Sequence, residues 1–247
     1  MVKMRKIAFL QSSAATGKLT GELARREKIL KSMASPGTEI EYFGLETDPK
    51  KSHLGAIQSS YESALSVPKT LKTAMAAEKA GYQAVIISCG GDPGVAPLRE
   101  VLTIPVVPPG SSAKHICSMI GRKFSILTTG FGEPRRTEVY ERDGLLKLIS
   151  IHPIGFTVPE VRVKVDESFE AMVREGKRAV KEYRANSVTF GCMSMAYNMY
   201  DEELTEAIGV PAVNPMKAAV KMAEMYIDLG LTHSKLAYRV PPSLRKK

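Results

Sequence analysis

Ala84-Val85-Ile86-Ile87-Ser88-Cys89-Gly90-Gly91-Asp92-Pro93-Gly94 begins as an unbroken apolar run and ends in glycine and proline. A run this short, bounded by turn residues, is the mark of a strand buried on both faces. The spacing predicts a strand over Ala84–Ser88, with Cys89 at the first position of the loop beyond it. Seven more stretches read the same way: Lys6–Leu10, Ile40–Phe43, Ile104–Val107, Phe124–Leu127, Leu148–Ile151, Val188–Phe190 and Val210–Val213. Helical stretches separate them. One is predicted from Lys69 to Ala80, between Pro68 and Gly81. Another is capped by Asp166 and runs to about Arg184. A third is capped by Asn214, starts at Pro215 and stops at Gly230. Strands alternating with helices mean βαβ units and a mainly parallel sheet.

The two halves of the chain share this outline. Each opens with a strand and a small polar loop, Gln11-Ser12-Ser13 in the first and Thr128-Thr129-Gly130 in the second. Each later carries a strand that ends in cysteine: Ile86-Ile87-Ser88-Cys89, then Phe190-Gly191-Cys192. Each then has a proline-containing strand around Pro105 or Pro211, followed by a helix. The expected fold class is α/β, with two pseudo-symmetric Rossmann-like lobes and mainly parallel sheets.

Composition narrows the function classes. The chain has 247 residues, 44% apolar and 25% charged, as in an ordinary globular protein. It contains no apolar run near the roughly 20 residues that cross a bilayer. The basic start, Met1 to Lys6, leads into too short an apolar run for a signal peptide, and a cytoplasmic location is expected. Three cysteines argue against a disulfide framework and leave at least one thiol free, and no Cys-x-x-Cys or His-x-x-x-His spacing supports a zinc site. No metal and no cofactor are expected. The net charge of +9 comes from basic residues interleaved with acidic ones along helices. Such patterns are solvated helix faces, and without interleaved aromatics they argue against a nucleic-acid partner. The same charge favours an anionic small molecule.

Ligands of parallel α/β sheets bind beyond the carboxyl ends of the strands, which is where Cys89 and Cys192 fall. Two thiols facing a ligand from opposite sides suit inversion of a stereocentre. One removes a proton from one face and the other returns a proton to the opposite face. A free thiol titrates near about pH 8.5, so a modest environmental shift makes it a usable base. Gly90 and Gly91 let backbone N–H groups approach, and Asp92-Pro93 reads as a helix start. Ser12, Ser13, Thr128 and Thr129 are candidate donors to a developing enolate. Cys117 shares a helical face with Ala113, Ile116 and Ile120 and reads as core. His115 is expected to face solvent or a lobe interface. Met193, Met195 and Met199 read as packing, with Met193 and Met195 able to wall a pocket beside Cys192. Arg135-Arg136 reads as a solvated helix start, and Arg245-Lys246-Lys247 as a basic tail.

At these residues the chain resembles the aspartate/glutamate racemase superfamily, most closely its hydantoin racemase branch. Cys89 followed by Gly90, Gly91, Asp92, Pro93 and Gly94 is similar to the branch's first motif, a Cys followed by Gly-Asp-Pro-Gly. Gly191-Cys192-Met193-Ser194-Met195 is similar to its second, Gly-Cys-Ala-Gly-Met. Lys123 to Thr129 resembles the strand that opens its second lobe. Gly209 to Pro215 and Leu229 to Lys235 resemble its C-terminal helix and closing Ser-Lys. The resemblance implies an active site in a cleft between two lobes, residues 1–107 with 214–247 and residues 108–213, the final helix packing back on the first. It implies Cys89 and Cys192 as acid and base without metal or pyridoxal, and a homo-oligomer. Gln11, Ser12, Ser13, Gly90, Gly91, Thr128, Thr129, Met193 and Ser194 would line the substrate. Three departures bear on that substrate. Gln11-Ser12-Ser13-Ala14 replaces an Asn-Pro-Asn-Thr loop, Met193-Ser194 stands for Ala-Gly, and Pro108-Pro109-Gly110-Ser111 replaces a loop that carries Glu.

The expected activity is cofactor-independent racemisation of an amino acid or a derivative such as a 5-substituted hydantoin. Two alternatives stay open at this point. One is a maleate-type cis–trans isomerase or related decarboxylase of the same fold, working through one cysteine. The other is a non-catalytic small-anion-binding protein.

Overall fold

A computed structural model describes residues 4–11, 21–43, 56–133 and 145–245. Ser12, Ser13, Arg135, Arg136, Lys246 and Lys247 lie outside the described residues. The chain divides into two compact units, Met1–Pro109 with Ala219–Lys247, and Gly110–Ala218.

The first unit is built on β1 (Arg5–Leu10), β2 (Thr38–Phe43), β3 (Ala84–Ile87) and β4 (Val106–Val107). These form one parallel sheet in the order β2-β1-β3-β4. Helices α1 (Glu22–Met33), α2 (Ser60–Lys79) and α3 (Val95–Val101) link them, and α4 (Pro109–Ile120) leaves β4. Every residue of β3 is fully buried. That is why this strand lacks the alternation of a half-exposed one. Ala8, Leu10, Val85, Ile87 and Val106 pack on Ala74, Ala77, Leu98 and Leu102 from α2 and α3.

The second unit repeats this plan with β5 (Phe124–Thr128), β6 (Leu148–Pro153), β7 (Ser187–Phe190) and β8 (Ala212–Val213). Its parallel order is β6-β5-β7-β8, which is the first order over again. Its helices are α5 (Val158–Val163), α6 (Val165–Tyr183), α7 (Met193–Ala196), α8 (Asp201–Ile208) and the start of α9 (Pro215–Leu229). The carboxyl-terminal part of α9 belongs to the first unit, where Asp228 takes two hydrogen bonds from Arg5 and Glu224 takes two from Ser35.

All eight expected strands are present, and the internal repeat extends to single hydrogen bonds. Gln83 N–H donates to Lys6 as Asn186 donates to Lys123. Val85 donates to Pro105 as Val188 donates to Pro211. Ser88 donates to Leu10 as Gly191 donates to Leu127.

Three helix boundaries differ from expectation. Pro68 does not precede a helix but lies inside α2, which begins at Ser60 because Ser59 accepts from Glu62 N–H and Glu62 accepts in turn from Gln58 N–H. The cap and the buried face outweigh the single bond that Pro68 removes. Asp166 lies in the first turn of α6 rather than at its cap, since Thr157 and Glu160 form a capping box that starts α5 just upstream. Asp92-Pro93 is a turn, not a helix start. The helix begins at Val95, behind Gly94. Gly94 has φ of +73°, and a Cβ there would meet Val67 at 3.0 Å, so both backbone and space require glycine.

Candidate active site

An order of 2-1-3-4 places the topological switch point between the first and third strands, where the chain leaves β1 in opposite directions. In the first unit that point lies between the carboxyl ends of β1 and β3, and in the second between those of β5 and β7. The register there is the same twice: Leu10 faces Ile87, and Leu127 faces Phe190. One residue on, Ser88 and Gly191 donate back to Leu10 and Leu127. The next residue in each case is a cysteine. Cys89 and Cys192 therefore occupy equivalent positions at equivalent switch points, and both are half-buried.

The local settings differ. Cys89 follows a tight backbone turn in which its N–H donates to Ile87, and its carbonyl accepts from Asp92. A Cβ on Gly91 would lie 3.8 Å from the Cys89 sulfur, so the sulfur sits over the bare glycine backbone. Gly90 is buried and Gly91 is exposed. Cys192 is the residue that caps α7, its carbonyl accepting from Met195 and Ala196. Before it, Gly191 is pressed on Thr128. A Cβ at 191 would meet Thr128 Oγ1 at 2.6 Å and its Cβ at 2.9 Å. That close approach holds Thr128, at the end of β5, against the peptide leading into Cys192.

Gln11 is half-buried at the end of β1, in the place that Thr128 takes at the end of β5. Thr129 is likewise half-buried. Met193 and Ser194 are both buried, and the Ser194 hydroxyl accepts from Arg162 Nε at 3.1 Å. Met195 is fully buried, as its reading as packing expects. Cys117 is fully buried among Phe124, Ile126, Leu148 and Ile151, and burial pushes its thiol up to about 12. It is core, as expected, with Ala113 buried beside it. Ile120 departs from that face and is exposed, and His115 is also exposed.

Sequence reading passed over two groups. Arg162, Asp201 and Lys217 come from α5, α8 and α9 and bear on the loop after Cys192 only through the fold, and Asn198, within that loop, donates to the Val161 carbonyl. The second group is a buried polar row. Ser125 Oγ lies 2.7 Å from Ser150 Oγ, which lies 2.8 Å from His152 Nε2, and His152 Nδ1 is 3.4 Å from Glu175. Alternation along Ser150-Ile151-His152 was the available signal, since it sets both polar side chains on one face. Ser150 and His152 are 1% and 0% exposed, and burial lowers the imidazole's proton affinity. This row packs beneath α6, with Glu175 at its end. Among the described residues, no three His, Cys, Asp or Glu side chains gather closely enough to hold a metal ion, and no helix is long and apolar enough to cross a membrane.

Comparison with known proteins agrees with this fold. Residues 25–223 match the model of the Asp/Glu/hydantoin racemase family. A hydantoin racemase of Pseudomonas sp. (strain NS671) is 32% identical over 221 residues, covering 87% of this chain and 85% of the relative. The crystal structure of an allantoin racemase from Pseudomonas fluorescens superposes with a TM-score of 0.80 at 29% identity, over 99% of both chains. An allantoin racemase from Klebsiella pneumoniae gives a TM-score of 0.80 at 25% identity, over 96% of this chain and 94% of that one. The chain belongs to the Asp/Glu/hydantoin racemase family and is an isomerase of that family.

Proposed function

We propose that this protein racemises a five-membered cyclic ureide, a 5-substituted hydantoin or allantoin, with Cys89 and Cys192 as the acid/base pair and no cofactor. The observation that carries the reading is the repeated placement of a half-buried cysteine two residues beyond the third strand of each sheet. The names of the similar proteins supply the substrate class.

The reaction needs little beyond two thiols and a set of donors. One cysteine, as thiolate, takes the proton from the ring carbon that bears the substituent. The electron pair left behind delocalises onto the adjacent ring carbonyl as an enolate. The other cysteine, as thiol, gives its proton to the opposite face of the same carbon and becomes the thiolate. Enzyme and substrate end with the same number of protons, and the roles of the two sulfurs exchange for the other enantiomer. The enolate oxygen requires fixed donors and the ring N–H groups fixed acceptors, because preorganised partners act where charge develops. We assign that task to the loops at the strand ends: Gln11, Ser12 and Ser13 after β1, Gly90 and Gly91 after β3, and Thr128 and Thr129 after β5. Met193 and Ser194 form the wall beside Cys192.

The test is solvent deuterium uptake, followed by NMR, over allantoin, several 5-substituted hydantoins, N-carbamoyl amino acids and free amino acids. The reading expects exchange and loss of optical rotation with the cyclic ureides and none with free amino acids. Exchange confined to free amino acids would overturn the substrate class. A thioether adduct on one cysteine, without exchange, would replace racemisation by one-cysteine isomerisation.

A further inference from the structure

A helix of four residues cannot hold itself. Forming one turn fixes several backbone dihedrals for a single hydrogen bond, and α7 never recovers that cost by extension. The position of Cys192 at its cap therefore depends on bonds to the rest of the unit. Three are made, two by remote side chains and one by Asn198 in the turn that follows α7. Arg162 donates to Ser194, and Asn198 Nδ2 donates to the Val161 carbonyl at 3.3 Å. The third is Asn214 Nδ2, which donates to the Ala196 carbonyl at 3.0 Å. Ala196 N–H in turn donates to the Cys192 carbonyl at 3.3 Å. Asn214 thus connects through one residue to the backbone of Cys192.

Asn214 is 2% exposed and both ends of its amide are engaged. Oδ1 accepts from Met216 N–H at 3.0 Å and Lys217 N–H at 3.5 Å, which caps α9. Nδ2 also donates to Asp201 Oδ1 at 3.2 Å, and Lys217 Nζ sits on the other Asp201 oxygen at 2.7 Å. A cap needs only an acceptor, and Ser or Asp serves as well as Asn. The donor half of the amide is superfluous to the cap and is spent on α7. Because one end meets backbone N–H groups and the other a carbonyl, the network itself assigns oxygen and nitrogen.

We propose that Asn214 is a positioning residue for the racemisation, fixing through Ala196 where the Cys192 sulfur stands. This rests on the reading of Cys192 as an acid/base group. Asp201 and Lys217 hold the amide in register, so the anchor is a unit of three residues from β8–α9 and α8.

The experiment uses the full chain with Asn214→Ser, which keeps the cap and loses the reach to Ala196. Asn214→Asp is the second variant, keeping size and acceptor while losing the donor and setting a second carboxylate against Asp201. Each is followed by kcat and KM, by thermal melting, and by the pH dependence of iodoacetamide alkylation resolved at Cys89 and Cys192. The proposal expects a folded variant with kcat reduced about 10- to 100-fold, as a displacement of about 1 Å at a reacting group produces, and KM within about twofold. It also expects a Cys192 alkylation profile altered by more than about threefold, with Cys89 unchanged. Unaltered Cys192 alkylation and kcat in both variants would overturn it, as would changes at the two cysteines in step. If Cys192→Ser keeps normal turnover, the acid/base reading fails. The alkylation result then decides the anchor on its own.

Discussion

At the residue scale, the fate of the three cysteines is set by position relative to the sheet. Cys117 faces into the core, and with a thiol pushed up to about 12 it is about one part in 10⁴ thiolate at pH 8. Iodoacetamide at that pH should therefore modify Cys89 and Cys192 at least about tenfold faster than Cys117, as read by peptide mass spectrometry. Equal rates at all three would contradict the assignment of Cys117 to the core. Gly191 makes a second residue-level case. A methyl there overlaps Thr128, so Gly191→Ala should destabilise by about 1–3 kcal/mol and lower kcat. In a Thr128→Gly background the same change should cost markedly less, and strict additivity of the two would refute the contact. The cysteines were legible in the sequence because a strand end can be read from composition. Thr128 against Gly191 was not, since nothing local shows that two residues far apart in the chain share a register.

At the element scale, the strands could be read because each is an apolar run closed by turn residues. Helix starts could not be read as well. The start of α2 depends on a reciprocal cap around Ser59, which outweighs the more conspicuous Pro68. Arg162 and Asn214 reach α7 from other elements, and Asn198, just after α7, reaches out to Val161, so no window of sequence contains these pairings. The segment after α9 shows how much such remote contacts do. Lys235 Nζ donates to the carbonyls of Arg99, Glu100 and Leu102 at the carboxyl end of α3, and Thr232 donates to Thr103. These carbonyls have no partner within their own helix, and a cation there also meets the negative end of the helix dipole. Lys235→Met should therefore cost about 1.5–3 kcal/mol and lower Tm by several degrees. His233 seals the neighbouring strand by accepting from Val106 N–H at 2.5 Å. Burial, with help from Arg99 and Lys235, pushes its pKa down to about 4. The unfolded chain, titrating near about 6.5, binds the proton first as pH falls. His233 thus contributes stability that is complete above about pH 6.5 and is lost on the way down to about pH 4. The contribution is about 2 kcal/mol, solvent screening at this half-buried site making it smaller than the shift would give in a sealed one. Thermal melts from pH 7 to pH 4.5 should show a shallower loss of Tm in His233→Gln, whose oxygen accepts without titrating. An unchanged slope would remove His233 from the account.

At the scale of the whole molecule, one plan is used twice. The sheet order, the register at the switch points and three pairs of backbone hydrogen bonds recur, although the side chains around them differ. The repetition was visible in the sequence as strand, polar loop, cysteine strand and proline strand, because those features answer to backbone geometry. What differs between the copies is the setting of each thiol: a glycine turn around Cys89, and a short anchored helix after Cys192. On the proposed mechanism, a reaction that enters from either enantiomer needs two groups of like chemistry, which the duplicated strand end would supply.

The central claim is that both sulfurs are needed for inversion and one suffices for exchange. The most direct measurement follows deuterium incorporation and optical rotation together, from each pure enantiomer of one turned-over ureide, with Cys89→Ser and Cys192→Ser. The account predicts that each variant loses inversion by at least about a thousandfold. It also predicts that the two variants retain exchange toward opposite enantiomers, each through its remaining thiolate. Near-normal inversion in either variant, or retained exchange of the same enantiomer in both, would contradict it.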